Sequence, residues 1–168
     1  MNWARLARWR VPLGFAFGLV AVWLAEPTTR TIWAGTGLAA LGQALRFWAA
    51  GHLEKAREVT SSGPYRFVRH PLYVGSALMG GGLAMAANSL LVTTLIGLYL
   101  GATLTAAVRT ENAFLAGRFG HAYDRYRSGA ALDTSRAFSL RRARANREYR
   151  SLLGFLAIVA ILVFKASH

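Results

Sequence analysis

Long apolar segments, separated by arginine-rich segments, limit what this chain can fold into. The apolar segments are residues 11–25, 32–50, 72–87, 90–108 and 149–164. As helices with a rise of about 1.5 Å per residue, segments of about 15 to 19 residues would measure about 23 to 28 Å, slightly less than a bilayer core. The pattern therefore predicts an all-α, polytopic membrane protein with about five transmembrane helices.

The first apolar segment could instead be a cleaved signal peptide. Cleavage after Ala25 would place the bulky Trp23 where a small residue is required, and this favours a retained helix. A second pattern, Gly35-Thr36-Gly37-Leu38-Ala39-Ala40, matches the dinucleotide-binding fingerprint in letters. It lies inside an apolar segment and no predicted strand precedes it, so we discard it.

Composition excludes several classes of protein. The 168 residues are 54% hydrophobic, with a mean hydropathy of +0.31, which is too apolar for an ordinary soluble domain of this size. The chain has no cysteine, so disulfides, cysteine zinc sites and thiol catalysis are excluded. The four histidines are not spaced as metal ligands, and we expect no metal. Nucleic-acid binding does not fit either, because the basic residues alternate with membrane-length apolar segments.

The distribution of basic residues predicts the orientation. With a cytoplasmic N-terminus, the five-helix arrangement places all of the 20 lysines and arginines except Arg30 and Lys165 on the cytoplasmic side. This agrees with the positive-inside rule. Both polar segments that follow residue 50 and residue 108 would then be cytoplasmic loops. For residues 136–150 we favour the simple interpretation that the arginines set topology and attract anionic head groups.

A motif of unusual polarity precedes the third apolar segment. Residues 63–75 contain arginines, a histidine, tyrosines and prolines directly before a membrane-length helix. Arg69 and His70 would lie where the membrane ends, and polar groups there are costly unless they are partnered or used. Pro71 has no N–H to lose in the first turn of a helix, so we expect the third helix to begin there.

The fourth apolar segment carries further helix signals. Asn88-Ser89 predicts a short turn and an N-cap for this helix, and Gly97 and Gly101 could let the third and fourth helices pack closely as a hairpin. After this segment, residues 111–127 have helical spacing, with an apolar stripe of Phe114, Leu115, Phe119 and Tyr123.

This motif and a second group of residues resemble the isoprenylcysteine carboxyl methyltransferase family and the related phospholipid methyltransferases. The residues are Gly63-Pro64-Tyr65-Arg66-x-Val68-Arg69-His70-Pro71-x-Tyr73-x-Gly75, followed by Glu111, Leu115, Phe119-Gly120, Tyr123 and Tyr126. The resemblance covers about Gly42 to Arg127. It implies one membrane-embedded methyltransferase domain over residues 1–168, with its core motifs in 42–127 and a basic segment and last helix in 128–168.

The resemblance also implies a cofactor and its site. The cofactor would be S-adenosylmethionine (SAM), bound from the cytoplasm and released as S-adenosylhomocysteine, and the acceptor a membrane lipid or lipid-linked molecule. Arg69 and Glu111 would be catalytic. The cofactor-binding residues would be Gly63, Tyr65, Arg69, His70, Pro71, Tyr73, Glu111 and Asn112. Asn112 stands where the family commonly has a second acid, and Arg127-Ser128-Gly129 lacks the valine and proline of the eukaryotic enzymes, so the acceptor stays open.

The chemistry of SAM suits these residue types. Arg69 or His70 could hold its carboxylate, and Glu111 its ammonium or ribose hydroxyls. The aromatic faces of Tyr65 and Tyr73 could contact adenine or the sulfonium. Methyl transfer is an in-line displacement that needs no metal, and its rate depends mainly on positioning.

Structural alternatives exist for several of these residues, and His70 could simply cap a helix. The tyrosines could be interfacial aromatics, and Arg69 and Glu111 could be an ion pair between helices. Gln43 and Arg46, in the second apolar segment, could be a satisfied intramembrane pair. Residues 146–149 could cap the last helix or close the pocket. Two other functions also remain: a membrane reductase using a nicotinamide cofactor, and a non-catalytic module that recruits acidic lipid or a partner protein.

Overall fold

The fold is taken from a computed structural model that describes residues 17–130 and 135–167. Its elements are α1 (residues 17–24), α2 (Thr29–His52), a 3₁₀ turn (Gly63–Arg66), α3 (Pro71–Ala87), α4 (Leu90–Phe119), α5 (His121–Arg127), α6 (Leu140–Ala145) and α7 (Glu148–Ala166). No strand occurs in these two ranges, which confirms the all-α prediction. The basic residues Arg5, Arg8 and Arg10 and the start of the first apolar segment lie outside the described residues.

The helices begin at residues whose chemistry favours a helix start. Thr28 caps α2: its hydroxyl accepts a hydrogen bond from the Thr31 N–H at 3.2 Å, and the Thr31 hydroxyl accepts one from the Thr28 N–H at 3.0 Å. Pro71 is the first residue of α3, as predicted. Ser89 occupies the predicted N-cap position of α4, although its side chain makes no capping hydrogen bond.

α4 extends further than the apolar pattern predicted. The apolar segment ends at residue 108, but the helix continues to Phe119, through residues that are mostly good helix formers. It ends at Gly120, whose φ of 42° suits a residue without a Cβ atom. Together with α5, this helix confirms the helical spacing predicted for residues 111–127. Glu111 therefore projects from the same continuous helix as the fourth apolar segment.

Glycines bring α2 and α3 into close contact. A Cβ built on Gly35 would lie 2.4 Å from the backbone oxygen of Gly82, and one on Gly42 would lie 2.6 Å from the backbone oxygen of Gly75. Such approach is possible only between residues without side chains. The segment with the discarded nucleotide-binding pattern is therefore part of a helix–helix contact.

The glycines that the sequence indicated for a contact between α3 and α4 do not form one. A Cβ built on Gly97 or on Gly101 would meet no atom within 4 Å. Instead, Gly80 of α3 accommodates the side chain of Leu100, where a Cβ would lie 2.3 Å from the leucine Cδ1. The predicted close hairpin is wrong in this detail, because Gly97 and Gly101 face away from α3.

The outer surface of the helices is apolar. Among the described residues, α4 and α7 are long and apolar enough to cross a membrane, and α3 is a shorter apolar helix. Few residues of α4 and α7 are buried inside the protein, and large side chains such as Leu90, Leu98 and Phe164 are more than half exposed. Exposed apolar surface of this extent indicates a membrane protein. The number of five spanning helices and the cytoplasmic loops stay predictions.

Candidate active site

The 3₁₀ turn Gly63–Arg66, hereafter the motif turn, packs against the end of α2. Gly63 has a φ of +58°, a left-handed conformation that favours glycine. A Cβ at Gly63 would also lie 2.5 Å from the Cδ2 atom of His52. Next to it, the Oγ atom of Ser62 lies 3.1 Å from Nδ1 of His52. Gly63 is thus required by the backbone and by the close approach to the imidazole ring.

His70 connects the motif to α4. Its Nδ1 atom lies 3.5 Å from Oε2 of Glu111, and its Nε2 atom lies 3.0 Å from Oδ1 of Asn112. The hydroxyl of Tyr123 donates a hydrogen bond to the same Asn112 oxygen at 2.5 Å. The hydroxyl of Tyr73 is hydrogen-bonded to Glu111. These contacts fix the Glu111 carboxylate, and Asn112 holds His70 and Tyr123 behind it.

A cavity of about 900 Å³ lies beside these residues. Its polar end is lined by Tyr65, Arg69, Tyr73, Glu111 and Tyr126. Its apolar end is lined by Phe17, Val20, Leu95 and Tyr99. The rings of Phe17 and Tyr99 stack with their centroids 5.0 Å apart. Because the lining residues of α4 run from Leu95 to Leu115, the cavity follows about 30 Å of this helix.

The predicted site residues divide into two groups. Tyr65, Arg69, Tyr73 and Glu111 line the cavity. Gly63, His70, Pro71 and Asn112 do not, and they set the backbone course or hold the lining side chains. The structure thus brings the first group together at one end of the cavity. Their roles toward a cofactor stay predictions.

Arg69 is available to a ligand. Its side chain is exposed at the cavity, and within residues 17–130 and 135–167 it makes no hydrogen bond or ion pair. The suggested ion pair between Arg69 and Glu111 is therefore wrong. The contact with Glu111 is instead made by His70, the residue directly before the start of α3.

Two tyrosines form an uncharged aromatic wall. The hydroxyl of Tyr126 donates a hydrogen bond to the backbone oxygen of Tyr65 at 2.8 Å. Burial raises the pKa of Tyr126 to about 12. Burial, and next the Glu111 carboxylate, raise the pKa of Tyr65 well above its usual value. Tyr65 is only 7% exposed. It is therefore a neutral cavity wall rather than an exposed interfacial anchor.

The loop between α2 and the motif turn also belongs to the site, which the motifs did not predict. Residues 53–60 of this loop, hereafter the cavity loop, contribute Glu54, Lys55, Glu58 and Thr60 to the lining. The hydroxyl of Thr60 accepts a hydrogen bond from the N–H of Glu54 at 3.2 Å and closes the loop. The position of the cavity loop directly before the motif in the sequence is a signal that could have indicated its place in the site.

A second polar group lies away from the cavity. Nε and Nη2 of Arg46 donate to the two carboxylate oxygens of Glu148 at 2.8 and 3.0 Å, and Nε2 of Gln43 donates to Glu148 at 3.1 Å. Nη1 of Arg46 donates to Oγ of Ser76 at 2.5 Å. This network joins α2, α3 and α7. Gln43 and Arg46 are thus satisfied structurally, with Glu148 as a partner that the sequence did not identify.

Fold and site together define a class of protein. The helices are apolar outside, and they enclose a cavity with cationic, anionic and aromatic groups at one end and an apolar groove at the other. This is a membrane protein that contains a cavity with one polar and one apolar end.

Comparison with known proteins identifies the family. The family model for phospholipid methyltransferases matches residues 29–122, more than half of the chain. The chain therefore belongs to the phospholipid methyltransferase family, and the resemblance found in the motifs is confirmed.

Curated relatives are similar over part of their length. The cobalt-zinc-cadmium resistance protein CzcN of Cupriavidus metallidurans is 32% identical over 68% of this chain and 56% of its own. The protein-S-isoprenylcysteine O-methyltransferase of Schizosaccharomyces pombe is 33% identical over 51% of this chain and 36% of its own. The nickel-cobalt-cadmium resistance protein NccN of Alcaligenes xylosoxydans xylosoxydans is 27% identical over 58% of this chain and 45% of its own. The chain thus spans about half the length of these relatives or less. No solved structure matches it.

Proposed function

We propose that this protein is an integral membrane methyltransferase that uses SAM and transfers its methyl group to a lipid or lipid-linked acceptor. The observation that supports it most is a cavity in which polar motif residues meet a long apolar groove on α4. Family membership and the Schizosaccharomyces pombe relative, which is named as an O-methyltransferase, support the same reaction class. They give no support to a nicotinamide reductase or a non-catalytic module.

The polar end of the cavity fits SAM. Arg69 makes no hydrogen bond or ion pair with the described residues, and it can bind a carboxylate through charge-assisted hydrogen bonds. Glu111 is 35% exposed, so its carboxylate is accessible to an ammonium or to ribose hydroxyls. Tyr65 and Tyr73 present aromatic faces for adenine or the sulfonium. The residues therefore match the cation, the anion and the ring of this cofactor.

The chain's own residues would act by positioning. When bound, SAM supplies an electrophilic methyl group on a cationic sulfur. Arg69 and Glu111 would fix the ends of the amino acid moiety, and His70 and Tyr73 hold the Glu111 carboxylate in place. Positioning of this kind accounts for much of the rate of a two-molecule displacement. The described residues that line the cavity offer no evident pair of nucleophile and base, so the acceptor would provide the attacking atom.

The apolar groove would hold the acceptor's chain. Between Leu95 and Thr110, α4 lines the cavity with leucine, tyrosine, threonine and alanine side chains. The hydroxyl of Thr103 donates to the backbone oxygen of Tyr99 at 2.7 Å, so its methyl group is free to face the groove. An isoprenoid or acyl chain suits such a surface. The metal-resistance names of two relatives do not change this proposal, because the described residues contain no group of three or more potential metal ligands.

Calorimetric titration of the purified protein with SAM, S-adenosylhomocysteine and NADPH tests the proposal. We expect SAM and S-adenosylhomocysteine to bind and NADPH not to bind. Arg69→Gln should weaken binding, whereas the matched control Arg109→Gln, an exposed arginine of α4 outside the cavity, should not. Binding of NADPH alone would favour a reductase, and binding of none of the three would contradict an enzyme of this class.

A further inference from the structure

Residues 135–146, hereafter the C-terminal strap, lie across the end of α2. The last carbonyl groups of a helix have no partner within the helix. Here the strap supplies hydrogen-bond donors to these carbonyl groups. Nδ2 of Asn146 donates to the oxygens of Ala50 and Leu53 at 2.9 and 3.0 Å. The N–H of Ser139 donates to the oxygen of Gly51 at 3.0 Å. The strap therefore caps α2 from a distant part of the chain.

Two arginines of the strap add positive charge to this helix end. Nε of Arg142 donates to the oxygen of Gly51 at 2.8 Å, and Nη1 of Arg136 donates to the oxygen of His52 at 3.5 Å. Cations at a helix C-terminus are favourable because the helix dipole is negative there. The contacts show that Arg136 and Arg142 are not a solvated basic surface.

An aromatic residue fixes the strap against α2. The ring of Phe138 lies over Gly51, where a Cβ would be 2.1 Å from the ring. Its centroid is 5.6 Å from that of Phe47 and 6.3 Å from that of His52. His52 in turn contacts Ser62 and Gly63 at the motif turn. The strap is thus packed against the residues that support the site.

The same two arginines also reach the cavity loop. Nη2 of Arg136 donates to Oε2 of Glu58 at 2.7 Å, and Nη1 forms an ion pair with the other carboxylate oxygen. Nη1 of Arg142 lies 3.9 Å from Oε1 of Glu54. Glu54 and Glu58 both line the cavity. Each arginine therefore joins the end of α2 to one acidic residue of the cavity wall.

We infer that the C-terminal strap fixes the cavity loop in its binding position, and that Arg136 and Arg142 are positioning residues for SAM binding. This inference rests on the proposed function. It assigns a role to a segment whose arginines otherwise suggest only membrane topology. By contrast, Arg141 and Arg144 of α6 are exposed, and their side chains make no hydrogen bond or ion pair within the described residues.

Hydrogen exchange and SAM binding of matched variants test this inference. The variants are Arg136→Gln and Arg142→Gln, with Arg141→Gln and Arg144→Gln as controls that remove the same charge from the same segment. Glu58→Gln removes the Arg136 ion pair from the loop side and leaves the cap of α2 intact. Amide exchange of residues 53–60 reports on the loop, and calorimetry gives the Kd for SAM.

We expect faster exchange in residues 53–60 for Arg136→Gln, Arg142→Gln and Glu58→Gln, and unchanged exchange for both controls. Because the ion pairs are partly exposed, the Kd for SAM should rise only about three- to tenfold in each variant. In turnover assays, the weaker binding should raise the KM for SAM and leave kcat little changed. Arg136→Lys should retain part of the affinity for SAM that Arg136→Gln loses.

Unchanged exchange in the cavity loop would overturn the inference. So would an equal loss of affinity in Arg141→Gln and Arg144→Gln, since only general charge would then matter. If one arginine variant fails to fold, Glu58→Gln still decides the question. If the wild-type protein binds no SAM, the proposed function fails, while the exchange data still show whether the strap holds the loop.

Discussion

Replacement of Glu111 by glutamine is the most direct test of the site. The change keeps the shape of the side chain and removes its charge. Glu111 lines the cavity, is 35% exposed and contacts His70 at 3.5 Å. It also accepts a hydrogen bond from Tyr73. Glutamine still has an oxygen that can accept from Tyr73, so the protein contacts are largely retained.

The structure allows an estimate of how Glu111→Gln changes the affinity for SAM and the free energy of unfolding. A hydrogen bond between the carboxylate and the ammonium of SAM contributes about 1.5–3 kcal/mol, and partial exposure places it near the lower end of this range. The Kd for SAM should therefore rise about 10- to 30-fold. The 3.5 Å contact with His70 is long and partly exposed, so the free energy of unfolding should fall by less than about 1 kcal/mol.

Calorimetry with SAM and thermal unfolding without ligand separate the two possible roles. A suitable control is Glu26→Gln, which removes an exposed acid between α1 and α2. A Glu111→Gln protein with wild-type affinity for SAM would refute the site assignment. A variant that binds SAM normally but unfolds at a much lower temperature would show that Glu111 has a structural role instead.

Three further changes test other parts of the structure. Gly63→Ala should lower the melting temperature and weaken SAM binding, because the new Cβ would lie 2.5 Å from the His52 ring and the residue has a φ of +58°. An unchanged melting temperature would contradict this turn geometry. Glu148→Gln should reduce the free energy of unfolding by about 3 kcal/mol in denaturation experiments, since it leaves the charge of Arg46 without its anion. Wild-type stability would show that this pair is replaceable. A periplasm-active reporter fused at Ser135 should give no signal if that loop is cytoplasmic, and a strong signal would reverse the orientation.

Local chemistry made several elements predictable. Pro71 begins α3 because its ring suits only the first turn of a helix, and Ser89 precedes α4. The motif residues Tyr65, Arg69 and Tyr73 reach the cavity together because they are close in sequence. These results depend on residues within one turn or one helix start, so a linear pattern is sufficient to indicate them.

Contacts between distant segments were not predictable in the same way. The partner of Arg46 is Glu148, about a hundred positions later, and no spacing rule connects two residues so far apart. Gly97 and Gly101 have the spacing of a helix contact, yet Gly35 and Gly42 of α2 form the close one with α3. Which of several small-residue faces is used depends on how the helices assemble.

The sequence by itself determined an all-helical membrane protein, the family motifs and the motif residues Tyr65, Arg69, Tyr73 and Glu111 that line the cavity. Hydropathy and side-chain chemistry are local properties, so they can be read along the chain. Only the tertiary structure decided that His70 rather than Arg69 contacts Glu111, and that residues 53–60 line the cavity. It also showed that Arg136 and Arg142 cap α2. Those outcomes depend on where helix ends meet in space, which hydropathy does not specify.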